Sequence, residues 1–273
     1  MEGFILSKLL IKPKNNPDKD GNVLKITPES AGWDYVGFEV YTFKKGETFQ
    51  KDTGDREMAV VLLSGKANAK TKDNSWNDIG ERMSVFDSTP AYTVYIPNED
   101  EITLEALTDL EIAVCTAPGK GTYEARLIKP GDVDVAKRGS GSMAREIHGL
   151  IPEEKPADSL FVIEVFTPAG NWSSYPPHKH DQDNYPDETY LEETYYHKMN
   201  PAEGGFAVQR VYTDDRELNE TIIINDGQSV LVPKGHHPCS APPGYELYYL
   251  NVMAGPIRKW RFTNDPDHEW LTK

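Results

Sequence analysis

The runs Pro177-His178-Lys179-His180, Glu192-Glu193 and Pro233-Lys234-Gly235-His236-His237 hold imidazoles and carboxylates at spacings suited to a divalent metal ion. In an extended strand successive side chains alternate faces, so His178 and His180 point the same way and can grip one ion together. Glu193 opens Glu193-Thr194-Tyr195-Tyr196-His197, which reads as the next strand, and His237 follows Val230-Leu231-Val232, which reads as a third. Alternation sends Glu192 and Glu193 to opposite faces, so only one of them can be a ligand. Mixed nitrogen and oxygen donors converging from strand ends suit Zn, Mn or Fe(II), and the chemistry they serve is that of a metal-assisted enzyme. Four of the seven histidines lie in these runs while the first 147 residues contain none, which is a concentration that chance placement does not produce.

Donors of this kind need rigid elements behind them, and the rest of the chain is written in strands. Trp33 to Tyr41 alternates β-branched and aromatic residues; Met58 to Leu63, Ser84-Val85-Phe86, Tyr92 to Ile96, Ile102 to Leu107 and Glu111 to Cys115 follow at short intervals. Gly, Pro, Asn and Asp bound each run and supply turn conformations. No stretch of helical length carries an apolar period of 3.6, so the pattern predicts an all-β sandwich or barrel.

The pattern also repeats. Phe38-Glu39-Val40-Tyr41-Thr42 with Gly46 echoes Ile163-Glu164-Val165-Phe166-Thr167 with Gly170, and Val94-Tyr95-Ile96-Pro97 echoes Val230-Leu231-Val232-Pro233. The preserved order predicts a duplication. Between the copies, Ala117 to Ser159 is rich in glycine and charge, as a crossover would be, which places a boundary near residue 130. Gly119-Lys120-Gly121-Thr122 lacks the spacing of a phosphate loop, and Gly139-Ser140-Gly141 lacks the third glycine of a dinucleotide fingerprint.

Bulk properties limit the partners. A chain of 273 residues has ample core for one large or two smaller β domains. A net charge of −15 argues against nucleic acid and against an anionic membrane, since both require a basic footprint. Cys115 and Cys239 are far apart and unpatterned, as free thiols in a reducing compartment would be. The N-terminal run from Phe4-Ile5-Leu6 to Lys14 has neither a signal-peptide core nor a cleavage site, and no apolar run approaches a membrane span. A cytoplasmic protein is expected.

A duplicated β-barrel with His-x-His, a Glu on the next strand and a later Pro-x-Gly-x-His resembles the cupin superfamily. More narrowly, Asn171 to Asp181, Gln209-Arg210-Val211-Tyr212-Thr213-Asp214, Tyr248 to Gly255 and Asp265-Pro266-Asp267-His268 are similar to runs of the bacterial 5-deoxy-glucuronate isomerases of myo-inositol catabolism. The resemblance implies a bicupin of two double-stranded β-helix (jelly-roll) barrels. Residues 1–130 would form a degenerate barrel without a metal site, and 131–273 the metal-binding barrel. It implies interconversion of 5-deoxy-D-glucuronate and 5-dehydro-2-deoxy-D-gluconate, an aldose–ketose exchange on a small anionic sugar. It selects His178, His180, Glu193 and His237 around one divalent ion per chain, Zn or Mn, with Fe(II) as the alternative. The general cupin motif would put its last histidine at Pro238, so His237 rests on the narrower family pattern and His236 is the fallback ligand. Glu57 stands alone as the remnant of a lost site in the first copy, which would serve structure or assembly, the latter as a homo-oligomer.

For such a reaction Glu193 is the candidate catalytic group, as metal ligand or as proton carrier. Arg210 offers a planar fork of donors for the substrate carboxylate. Alternation places Tyr249 and Asn251 on one face of their strand and Tyr248 on the other, so Tyr249, Asn251 and Tyr195 are expected to line the pocket. Lys179 alternates away from the ligands, and Asp181, Asp183, Asp187 and Glu188 read as a solvated acidic turn. Three other readings compete: a hexuronate ketol-isomerase of pectin breakdown, an Fe(II) cupin dioxygenase, and a non-catalytic sugar-binding cupin.

Overall fold

Short runs of β-branched and aromatic residues punctuated by turn formers become strands throughout the computed structural model, which describes residues 7–87 and 89–272. Phe4-Ile5-Leu6 lies outside the described residues. Among the described residues the strands form five sheets, and the one α-helical segment is the single turn Pro28–Ala31. No helix among them is long and apolar enough to cross a membrane.

The N-terminal half is a six-stranded sheet in the spatial order Arg126–Ile128, Thr93–Ile96, Arg56–Ser64, Leu110–Pro118, Gly37–Phe43, Asn22–Ile26. A four-stranded sheet of Thr48–Asp52, Glu101–Ala106, Ala67–Lys70 and Ser75–Ile79 faces it. The C-terminal half is a seven-stranded sheet in the order Leu10–Ile11, Ser229–Val232, Glu192–Asn200, Glu246–Ala254, Phe161–Thr167, Arg145–Ile151, Asp134–Arg138. Its facing sheet is Trp172–Ser173, Cys239–Ser240, Phe206–Tyr212 and Asn219–Asn225. A two-stranded ribbon, His178–Lys179 with Thr263–Asn264, lies at the mouth of this second barrel.

The chain passes from one half to the other between Ile128 and Asp134. A division at residue 130 does not hold for the start of the chain, because Leu10–Ile11 pairs with Val230 and Ser229 at the edge of the C-terminal sheet. The segment Ser84-Val85-Phe86 is a turn rather than the expected strand. Asp87 accepts hydrogen bonds from the Met83 and Ser84 amides at 2.7 and 3.1 Å, and this local cap wins over strand propensity.

Strand registers relate the two halves residue by residue. Met58 pairs with Ile96 as Glu193 pairs with Val232, and Glu57 sits opposite Ala117 as Glu192 sits opposite Ala254. The echo of 94–97 in 230–233 therefore holds. The echo of 38–42 in 163–167 is one residue out: Phe38 lies opposite Cys115 as Val162 lies opposite Val252, so Val40 is the counterpart of Glu164. Letter matching missed the slip, and in a strand one residue exchanges faces. Glu39 accordingly ion-pairs with Lys25 and Lys51, while Glu164 points at the other half.

Glu57 is thus the counterpart of Glu192, not a remnant of Glu193. Its carboxylate accepts from the backbone amides of Asp158, Ser159 and Leu160 at 2.6–2.7 Å. Glu192 accepts from the amides of Asp34, Tyr35 and Val36 at 2.8–2.9 Å. Each barrel pins the other through one buried carboxylate.

Between the barrels the two large sheets pack back to back. Phe38 meets the Tyr196 ring at 5.6 Å, and Tyr196 donates to Glu111 at 2.9 Å. Buried Arg82 pairs with buried Glu164 at 2.5 Å, and Tyr248 donates to the same carboxylate at 2.8 Å. Burial pushes the Glu164 carboxyl up, but the Arg82 charge and the hydrogen bonds from His148, Arg82 and Tyr248 outweigh it and hold it at about 2. A carboxyl depressed on folding contributes stability above its ordinary value of 4.5 and loses it as pH falls through about 2. Glu164→Gln should therefore flatten the acid limb of a denaturant midpoint measured from pH 7 to pH 2. Arg82→Met, which strands the charge, should cost about 3–5 kcal/mol at pH 7. Equal acid limbs in wild type and Glu164→Gln would refute this account.

Candidate metal centre

The positions that differ between the barrel interiors build the site. At matched ladder positions Met58 becomes Glu193, Val60 becomes Tyr195, Leu62 becomes His197, Ile112 becomes Tyr249 and Val114 becomes Asn251. The first barrel is filled with Met58, Val60, Leu62, Ile112 and Val114 beside Tyr41, Phe43 and Phe49. The second carries polar groups on the same inward face.

Three loops and strands deliver imidazoles to those groups. His178 comes from the ribbon at the mouth, His180 from just beyond it, and His237 from the turn after Ser229–Val232. Their ligating atoms lie within 4.8 Å of one another. Gly235 makes the last approach possible. It has φ +88°, and a Cβ there would collide with the Tyr212 carbonyl.

The ring orientations are fixed from outside the cluster. Nδ1 of His180 lies 3.0 Å from the Leu191 carbonyl, and Nδ1 of His237 lies 2.8 Å from the Gly235 carbonyl. A carbonyl only accepts, so each Nδ1 carries the proton and each Nε2 turns its lone pair inward. Both Nε2 atoms stand 3.1 Å from Oε2 of Glu193. Asn251 donates its amide to Oε1 of the same carboxylate, and Nε2 of His237 is buried without a hydrogen-bond partner. Lone pairs and a carboxylate facing one another where they are buried repel unless a cation or protons lie between them, so the donor set fits a divalent metal.

Electrostatics say the same of the protons. Burial and the neighbouring His237 and His180 hold His178 well below its ordinary value, leaving it neutral. Burial also disfavours charge on His180, but its hydrogen bond to Glu193 and that group's charge raise it. Burial raises Glu193, while the facing His237 and His180 imidazoles outweigh burial and bring it down to about 2.

Of the residues expected from sequence, His178, His180, Glu193 and His237 are brought together, and Asn251, Tyr195 and Tyr249 lie beside them. The Tyr195 hydroxyl meets Oγ of Ser174 at 2.8 Å, and its ring is 5.7 Å from His237 and 4.9 Å from Tyr249. Glu192 and the fallback ligand His236 are elsewhere. His236 turns to Asp214 at 2.8 Å and packs on Tyr212.

Arg210 is not brought to the site. It bonds Asn219 at 2.9 Å and covers the outer ring of Tyr212 at 4.1 Å, because Ala207, Gln209 and Val211 take the inward phase of its strand. The residue missed there is Gln209, fully buried, donating to the His237 carbonyl at 3.3 Å with its own oxygen unpaired. Phase counted from Val211 as a core residue would have found it. Asp181 and Glu188 are likewise not solvated. Both pair with Lys179 at 2.9–3.0 Å, and Asp181 accepts from the Gly235 amide at 2.8 Å, while Asp183 and Asp187 are exposed.

A family model described as KduI/IolB matches residues 9–271. The chain is 62% identical over 266 residues to a 5-deoxy-glucuronate isomerase of Geobacillus kaustophilus, covering 97% of this chain and 96% of that one. It is 43% identical over 269 residues to a 5-deoxy-glucuronate isomerase of Bacillus subtilis, covering 97% and 99%. The crystal structure of an IolB-like protein from Salmonella typhimurium superposes with a TM-score of 0.94 at 48% identity, covering 98% of this chain and 100% of that one. Lactobacillus farciminis oxalate decarboxylase shares the bicupin fold, with a TM-score of 0.67 at 12% identity, covering 95% and 89%.

Protons and a metal ion compete for the same inward lone pairs. Apparent affinity for Zn, read by chelator competition, should rise with pH through the raised titration of His180 and then level off. Glu193→Gln should lower affinity by about ten- to a hundredfold. A pH-independent affinity would contradict the assignment of those lone pairs.

Proposed function

This chain belongs to the KduI/IolB family, and on that footing we propose that it catalyses the 5-deoxy-glucuronate isomerase reaction, interconverting 5-deoxy-D-glucuronate and 5-dehydro-2-deoxy-D-gluconate in the cytoplasm. The observation that carries the reading is the cluster of His178, His180 and His237 with Glu193 inside the C-terminal barrel, in a chain that matches its named relatives end to end. Two buried, unpaired cysteines, Cys115 and Cys239, support the reducing compartment.

The reaction moves one proton from C2 to C1 and one from O2 to O1, with no net change of oxidation state. The three histidines and Glu193 would hold Zn or Mn, with Fe(II) as the alternative, and the bound ion would polarise the carbonyl and stabilise negative charge on the two oxygens. Asn251 fixes Glu193 through Oε1 and so keeps the carboxylate from swinging out of the cluster. Glu193 is the inward carboxylate of this barrel and is assigned the carbon-bound proton. Tyr195, whose hydroxyl meets Ser174 at 2.8 Å and whose ring lies 5.7 Å from that of His237, would with Ser174 relay the hydroxyl proton between the oxygens.

The substrate carboxylate needs a cation, and with Arg210 turned outward we assign that role to half-buried Arg145. It shares a strand face with Ile147, which pairs with Val165, itself opposite Tyr249. Its Nη1 donates to the carbonyls of Met143 and Tyr175 at 3.0 and 3.2 Å, leaving the rest of the fork unused among the described residues. Burial and then the neighbouring Cys239 raise the Tyr249 hydroxyl, and hydrogen bonds with Ser173 and Ser174 and, last, the Arg145 charge oppose that rise.

The reading is tested by NMR on the Zn- or Mn-loaded protein with 5-deoxy-D-glucuronate. The aldehyde signal should fall as a ketone grows, and His178→Ala should reduce the rate by about a hundredfold or more. Absence of conversion with every one of Zn, Mn, Fe and Co would sink it. Arg145→Gln should raise KM about tenfold with a smaller change in kcat, as expected for a group that binds the carboxylate in ground and transition states alike.

A further inference from the structure

Two of the runs that single out this sequence, Gln209 to Asp214 and Asp265 to His268, contribute no ligand to the cluster, yet they meet. The Tyr212 hydroxyl donates to Oδ2 of Asp265 at 2.6 Å, and both residues are buried. Asp265 is itself held in place: its Oδ1 accepts from the Asp267 amide at 3.0 Å, and its own amide donates to the Pro177 carbonyl at 2.9 Å. Pro177 precedes His178, and the residue before Asp265, Asn264, is the ladder partner of His178. The strand that carries His178 has no other ladder partner among the described residues.

The backbone of Tyr212 holds the opposite arm. Its amide donates to the His236 carbonyl at 2.9 Å, and the His236 amide donates back at 2.8 Å. His236 precedes His237. The Tyr212 ring cannot swing, because the Arg210 and Arg216 guanidinium groups lie over it at 4.1 and 4.4 Å and the His236 ring packs at 5.1 Å. One side-chain hydrogen bond, Tyr212 to Asp265, thus joins the backbone partner of the residue before one imidazole ligand to the backbone partner of the residue before another.

We propose that the Tyr212–Asp265 hydrogen bond is a positioning device for the metal centre, setting the separation of His178 and His237 and making the segment Thr263 to His268 part of the metal-binding machinery. This rests on the metal reading of the cluster and adds residues that touch neither metal nor substrate. Arg210 then acts by stacking on Tyr212, which gives that arginine a role on the outer face. The Asp181–Gly235 hydrogen bond joins the same two arms at 2.8 Å, so loss of one link loosens the cluster without abolishing it.

Tyr212→Phe deletes a single oxygen and keeps the clamped ring, and Asp265→Asn keeps the shape while weakening the acceptor. Each should lower Zn affinity about ten- to a hundredfold by chelator competition, in the range found for groups that orient metal ligands. Each should also alter the visible absorption of the Co(II)-substituted protein, with the metal-free melting temperature within a few degrees of wild type. Affinity within twofold of wild type and an unchanged Co(II) spectrum in both variants would overturn the proposal. So would loss of metal-free stability with affinity intact, which marks the bond as part of the scaffold only. A wild-type chain that takes up neither Zn nor Co(II) would overturn the metal reading itself, a different failure from the first.

Discussion

Inside the second barrel, lone pairs of His180 and His237 and an oxygen of Glu193 face one another at 3.1 Å, all three side chains buried. That arrangement is unfavourable by itself, and most of the surrounding structure exists to hold it. Carbonyls of Leu191 and Gly235 fix which ring nitrogen is bare, and Asn251 holds the carboxylate from behind. Lys179 looks inert, yet it keeps Asp181 where that carboxylate can catch the Gly235 amide. A divalent cation held by these residues would resolve the repulsion, and its positive charge would supply the polarising power the reaction needs.

The first barrel shows what the fold looks like without that constraint. Its matched interior positions are Met58, Val60, Leu62, Ile112 and Val114, which present no nitrogen or oxygen donor from their side chains. It remains bound to its sibling by reciprocal carboxylates, Glu57 reaching into one half and Glu192 into the other. Glu192 and Glu193 are neighbours in sequence with opposite duties. One strand therefore anchors the interface on one face and the cluster on the other, and the site inherits the rigidity of the sheet-to-sheet packing.

The all-β class, the duplication and the four cluster residues were legible because each rests on local pattern: alternation, turn formers, His-x-His and a Pro-Lys-Gly-His-His turn. Strand phase, local caps and long-range contacts are less plainly written. The donor fork of Arg210 suits a carboxylate, but the inward beat of its strand is set by Ala207, Gln209 and Val211. The echo of 38–42 in 163–167 followed shared letters and missed a one-residue offset that only hydrogen-bond register reveals. Ser84 to Phe86 has strand-like residues, but Asp87 caps the amides of Met83 and Ser84. The meeting of Tyr212 with Asp265 joins positions 53 residues apart, and no local rule encodes a contact of that separation.

The ribbon Leu10–Ile11 has a bearing on anyone who would borrow only the metal-bearing half. It comes from the far end of the chain, yet it completes that half's sheet beside Ser229–Val232. A gene cut at the linker would leave Ser229–Val232 as a bare border with unanswered amides and carbonyls, an invitation to pair with copies of itself. A transplantable version must bring its opening residues along, either grafted after Lys273 or supplied as a separate peptide.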